Sequence, residues 1–235
     1  MCPECQRPAP VGIQCVDCVR EAAARIPATR SRLGFVPRGG PPVVTYVLIG
    51  LNVAAYLLMP LVLGGVRAWQ VQWGLFPGAG MGFLGLGQEW YRWITSGFLH
   101  FGWLHIGMNM FVLWQFGTQL EPALGRLRYG ILYAVSMLGG SAAVVLIAGG
   151  GLHGGASGAI FGLIGAYAIL LRRLRLPFQQ VAVSAGLWLV LGFVIPGVSW
   201  EGHLGGVVAG IVAMLLMFRG VDRREAGRTS KNTAV

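Results

Sequence analysis

VVTYVLIGLNVAAYLLMPLVL, residues Val43 to Leu63, is an apolar run interrupted only by Thr45, Asn52 and the late Pro60. A helix of about 20 such residues crosses the ~30 Å of hydrocarbon in a bilayer, so this stretch predicts a membrane span rather than a soluble core helix. The rest of the chain agrees. Hydrophobic residues make up 55% of its 235 residues and charged residues 11%, and the mean hydropathy is +0.65, far from the soluble average. No secretory signal is read in residues 1–42, so the run is expected to serve as the insertion signal.

On the N-terminal side, residues 1–40 are polar and rich in Pro and Arg, and close on Arg38-Gly39-Gly40-Pro41-Pro42, a punctuated linker. On the C-terminal side, 64–98 interleaves Trp69, Trp73, Phe76, Phe83, Trp90, Tyr91 and Trp93 with Gly, Gln, Glu89 and Arg92. That mixture suits the headgroup level of a bilayer. Further spans are expected over Trp103–Leu120, Leu127–Ala148, Ser157–Leu171, Val181–Val194 and His203–Phe218. A glycine-rich turn, Gly149 to Gly155, separates the third span from the fourth.

Six spans put both termini on one side, and the positive-inside rule names it. Arg20, Arg25, Arg30, Arg32 and Arg38, the pair Arg126 and Arg128, the trio Arg172, Arg173 and Arg175, and Arg219 to Arg228 all fall on that cytoplasmic side. The opposite loops carry little charge. The net charge of +10 is thus topological: the arginines sit in segments separated by spans, which speaks against nucleic acid and for the lipid bilayer, with its anionic lipid, as the partner of the basic ends.

Ionisable and polar residues within spans are costly and tend to face the bundle interior, which selects His105, Asn109, Ser157 and His203, with Gln115 weaker. Gly154-Gly155-Ala156-Ser157-Gly158 sets a serine at a loop-to-helix junction, flanked by Gly155 and Gly158, small enough for a substrate backbone to approach beside free helix amides. A serine needs a base, and His203 begins a helix at the same end of the bundle. Gly158, Gly162 and Ala166 stripe one helix, and Gly202, Gly206 and Gly210 the other, a spacing that lets two backbones meet. His105 and Asn109, four apart, share a helix face as candidate oxyanion donors; the alternative is an interhelical hydrogen bond. A metal site of His100, His105 and His203 lacks a carboxylate or Cys at ligand spacing.

These residues resemble the rhomboid intramembrane serine proteases. The similarity rests on Glu89-Trp90-Tyr91-Arg92, Thr95 through His100, His105-x-x-x-Asn109, Gly155-Ala156-Ser157-Gly158 and His203-x-x-Gly206-x-x-x-Gly210, within about residues 43–219. The resemblance implies a Ser157–His203 dyad with no acidic member and no cofactor, and an oxyanion site of Asn109, His105 and the Ser157 amide. It also implies structural roles for Arg92 and Glu121. Tyr91 interrupts the family's usual Trp-Arg pair, and Phe161 stands where relatives often carry a Tyr that packs on the catalytic histidine.

All four cysteines fall in two C-x-x-C pairs, Cys2/Cys5 and Cys15/Cys18. Four thiolates on the reducing cytoplasmic side match a structural Zn²⁺; a redox or unstructured tail is the other reading. The head resembles the end of Cys-rich N-terminal modules on actinobacterial rhomboids, which would make 1–40 part of a larger module.

The expectation is therefore an all-α membrane protein: a four-cysteine, zinc-knuckle-like cytoplasmic head (1–40), a six-transmembrane-helix rhomboid-like bundle (41–219) and a basic cytoplasmic tail (220–235). It would sit in the plasma membrane and cleave transmembrane protein substrates near the outer face. A silent adaptor that binds membrane helices without cutting them is the main rival. A small transporter would spread its ionisable residues through the depth of the bundle, and here they gather near one end.

Overall fold

A computed structural model describes residues 6–8, 13–25, 40–77, 89–183, 186–187 and 198–233 of the chain. A small antiparallel ribbon, β1 (Gln6–Pro8) and β2 (Ile13–Cys15), leads into α1 (Val16–Arg25). Then come α2 (Val43–Val62), α3 (Val66–Trp73), α4 (Arg92–Thr95), a 3-10 turn at Ser96–Phe98, α5 (Trp103–Leu124), α6 (Arg126–Ile147), α7 (Ser157–Arg173) and α8 (Trp200–Thr233). The protein is a helical membrane protein. Among the described residues, α2, α6 and residues Trp200–Asp222 of α8 are long and apolar enough to cross a membrane. Residues 179–183 and 186–187 are helical, but most of the fifth span expected at Val181–Val194 lies outside the described residues, as do Cys2 and Cys5.

The expected start of the second span holds, but its end does not: α5 runs through Pro122 and stops at Gly125, whose φ of +83° suits glycine. The last helix also exceeds its expected bounds. It begins three residues before His203 and continues to Thr233, so the segment read as a tail extends the helix. Apolar residues stop at the edge of lipid, but the helix does not, because the Arg, Glu and Ala beyond Phe218 are good helix formers in water.

The centre of the bundle is α6, α7 and α8, joined at glycines. A methyl group built on Gly140 would lie 2.9 Å from the Gly202 carbonyl oxygen, and one on Gly162 would lie 2.8 Å from that of Gly206. Those helices meet backbone to backbone. Lipid offers no hydrophobic gain for helix association, so such close van der Waals contact is what holds them. Leu113, Leu120, Tyr129, Leu132, Leu163 and Met214 fill the interior, whereas Leu61, Leu104 and Leu127 face outward.

Two charged residues tie this bundle to its periphery. The buried Glu121 carboxylate accepts the amides of Val44 (2.9 Å) and Thr45 (2.8 Å) and the Thr45 hydroxyl (2.8 Å). α2 has Pro42 before it and no side-chain cap of its own, so a residue of α5 satisfies its free N-terminal amides. Arg92 pairs with Glu89 at 2.9 Å and donates to the carbonyls of Val71 and Gly74 (2.7 Å for the latter), fixing the loop after α3. These contacts match the structural roles expected for both residues.

Candidate active site

Ser157 is the first residue of α7 and His203 lies in the first turn of α8. Their approach follows from the glycine stripes: with only hydrogen on Gly158 and Gly206, the two helices close until the side chains meet. His203 Nε2 is 2.9 Å from Ser157 Oγ. The imidazole is buried and stacks on Phe161, one turn after Ser157, with ring centroids 4.1 Å apart and planes 13° from parallel. Among the described residues, His203 Nδ1 meets no hydrogen-bond partner, and therefore no carboxylate.

Gly155 shapes the entrance to the serine. Its φ of +137° is a conformation side chains rarely adopt, its amide donates to the Ser96 carbonyl at 2.8 Å, and a Cβ there would sit 3.0 Å from His105 Nε2. His105 and Asn109 face this region from α5. The Phe101 amide donates to His105 Nδ1 at 3.3 Å, so the neutral ring carries its proton on Nε2, on the Gly155 side. Asn109 is buried and donates one amide hydrogen to the His105 carbonyl at 2.8 Å, which leaves its second N–H. His100, fully buried, packs edge-on against His105 with ring centroids 5.0 Å apart.

Beside the serine a cavity of about 460 Å³ opens between α5 and α7, bounded by Asn109, Phe116, Ser157, Phe161 and Ile164 and, past α7, by Gln180. It is mostly apolar, and its lining also includes the exposed Met108 and Phe111. Among the described residues no three His, Cys, Asp or Glu side chains gather as a metal site would require. A second contact had no counterpart among the expected site residues: His153 Nδ1 lies 2.8 Å from Ser199 Oγ. The only trace it leaves in the sequence is that both pairs are separated by 46 residues.

A helical membrane protein with a serine–histidine pair where two helix starts meet is the class that fold and site define. The rhomboid domain model matches residues 87–220. Rhomboid protease GluP of Bacillus subtilis is 31% identical over 181 residues, covering 75% of this chain and 35% of that protein. Rhomboid protease GlpG of Serratia proteamaculans is 33% identical over 184 residues, 74% of this chain and 62% of GlpG. YdcA of B. subtilis, named as a rhomboid protein, is 30% identical over 189 residues, 78% of this chain and 92% of YdcA. The chain belongs to the rhomboid family. It spans about a third of GluP and well under two thirds of several other relatives.

Proposed function

We propose that this chain is an intramembrane serine endopeptidase in which Ser157 and His203 act as a dyad. The observation that carries the reading is the 2.9 Å contact of Ser157 Oγ with His203 Nε2 beside a mostly apolar cavity that Ser157 helps to line. The names of the relatives GluP and GlpG support it. His203 takes the hydroxyl proton on Nε2 as Oγ bonds to the substrate carbonyl carbon. The oxyanion meets the Ser157 amide, the second Asn109 N–H and His105 Nε2–H. His203 then returns the proton to the departing amine, leaving an acyl-serine. Water, deprotonated by the same imidazole, releases the acid and restores Ser157.

The substrate is a transmembrane segment of another membrane protein. It reaches Ser157 through the cavity between α5 and α7, and its backbone passes the side-chain-free positions Gly155 and Gly158. Six spans with both ends in the cytoplasm put the dyad near the outer face of the plasma membrane, as the distribution of arginines supports. The cysteine head binds a structural Zn²⁺. In its support, Cys15 closes β2 and Cys18 lies in the first turn of α1, and the backbone amides of Cys18 and Asp17 hold the Cys15 thiol below its ordinary value. Cys2 and Cys5 would complete the four thiolates.

Cleavage of a single-pass model substrate in liposomes tests the dyad: Ser157→Ala and His203→Ala each remove it, and cleavage equal to wild type in either variant rejects the reading. Metal analysis tests the head, with about one zinc per chain expected and none after Cys15→Ser with Cys18→Ser.

A further inference from the structure

The two chain segments that enter α7 and α8 are bonded to each other before they reach the dyad. His153 lies four residues ahead of Ser157, and Ser199 four ahead of His203. The two Ser–His contacts are therefore consecutive rungs between the same pair of segments, with the residue types exchanged. The outer rung is fully specified. His153 Nε2 lies 3.0 Å from the Gly150 carbonyl oxygen, which can only accept, so Nε2 carries the proton. In the neutral imidazole Nδ1 is then the acceptor, and the Ser199 hydroxyl donates to it across 2.8 Å.

Each end of this rung is attached to something rigid. The Ser199 carbonyl accepts the His203 amide at 3.2 Å, so Ser199 is carried on the helix turn that holds the imidazole. His153 and Leu75 exchange two backbone hydrogen bonds of 2.9 Å, and the neighbouring Gly74 carbonyl is held by Arg92. Below the dyad, the helices are locked at Gly162, where a methyl group would meet the Gly206 carbonyl oxygen at 2.8 Å. Above it, the His153–Ser199 hydrogen bond joins the two segments side chain to side chain. Ser199 borders a cavity of about 40 Å³, too small for a peptide, so this pair holds rather than reacts.

We infer that His153 and Ser199 are positioning residues: their hydrogen bond clasps the approach segments of α7 and α8 and sets the height of the His203 imidazole against Ser157 Oγ. The inference rests on the dyad reading. Freed of the clasp, the first turn of α8 frays and the imidazole spends less time within reach of Oγ, while the cavity that receives substrate is untouched. The loss belongs in kcat and not in KM.

The test uses the full chain in liposomes with His153→Phe, which keeps a ring and loses both hydrogen bonds, Ser199→Ala, the two combined, and Ser199→Thr. Labelling of Ser157 by a fluorophosphonate reads the dyad without a substrate. Each single change slows labelling and kcat by about fivefold, the factor one net hydrogen bond carries, with KM within about twofold. The double variant is no slower than the slower single one, and Ser199→Thr, which retains a hydroxyl, restores the rate. Wild-type labelling in both single variants, losses that multiply in the double, or a loss carried by KM overturns the clasp. If the unaltered chain neither labels nor cleaves, the dyad reading has failed and hydrogen exchange decides the clasp. Amides in 150–160 and 199–206 then exchange about fivefold faster in either single variant, and unchanged exchange refutes it.

Discussion

Gly206→Ala places one methyl group where the structure has no room for it. A Cβ at Gly206 would lie 1.9 Å from the Gly158 carbonyl oxygen and 2.7 Å from its carbon, and contacts under 3.0 Å do not occur, so α7 and α8 must part by at least about 1.1 Å. The obstacle is backbone, which cannot turn aside as a flexible side chain would. Ser157 lies one residue from Gly158 and His203 three from Gly206, so the separation falls on the dyad. The 2.9 Å contact opens to about 4 Å, beyond a hydrogen bond. A misplacement of that size costs about 100-fold in rate. Overpacking adds about 1–3 kcal/mol of destabilisation. Fluorophosphonate labelling and substrate cleavage, measured on folded protein below the melting transition, should both fall by that factor. Gly50→Ala in α2 is the control, because nothing lies within 4 Å of a Cβ there and its rate should be unchanged. Labelling of Gly206→Ala at the wild-type rate would refute the claim that close helix approach sets the dyad distance.

Phe161→Ala removes the ring stacked on His203 and should lower kcat about fivefold, whereas Phe161→Tyr keeps the face and should stay within about twofold of wild type; steady-state cleavage checks both. Glu121→Ala strips the acceptor from two amides and a hydroxyl at the start of α2 and should cost about 3 kcal/mol, measured by unfolding in mixed micelles. Because Glu121 is remote from Ser157, its labelling rate per folded molecule should not change. Arg92→Lys retains the charge but loses the fork that reaches Glu89 and the carbonyls of Val71 and Gly74, and should lower the melting temperature by several degrees, about the effect of a 1 kcal/mol loss.

How far the sequence revealed these contacts depended on whether their cause was local. The α2 run announced itself because lipid demands one uninterrupted apolar length. The α7–α8 junction is legible because glycines every fourth residue let two backbones meet, and Ser157 and His203 stand out as polar residues at the starts of the two striped helices. The ends of α5 and α8 were misjudged because hydropathy marks where lipid stops, while helices stop where a residue such as Gly125 turns the backbone. His153 had no local signal. It stands within a glycine run, and a contact across 46 residues is set by how two loops pack, which neither its own periodicity nor its neighbours' composition reports.

Helix length connects the fold to the chemistry. α6 has 22 residues and α7 has 17, about 33 and 26 Å at 1.5 Å per residue, so α7 is about 7 Å shorter than the neighbour it packs against. With a bilayer core about 30 Å thick, the proposed reading sets the Ser157 end of α7 below the surface, and the chain from 149 to 156 reaches it outside any helix. Irregular backbone at that depth survives only if its polar groups find partners. They do so through the Leu75–His153 exchange and the bond from the Gly155 amide to the Ser96 carbonyl. The glycines at 154, 155 and 158 let that segment pack closely, against Leu99, His105 and the Gly202 carbonyl respectively. On the proposed reading, water and an unwound peptide meet a hydroxyl that a full-length helix would have carried to the surface. The shortness of α7, the glycine loop and the braces from Leu75, Ser96 and Ser199 thus all serve the proposed reading, a hydrolytic site sunk within a membrane.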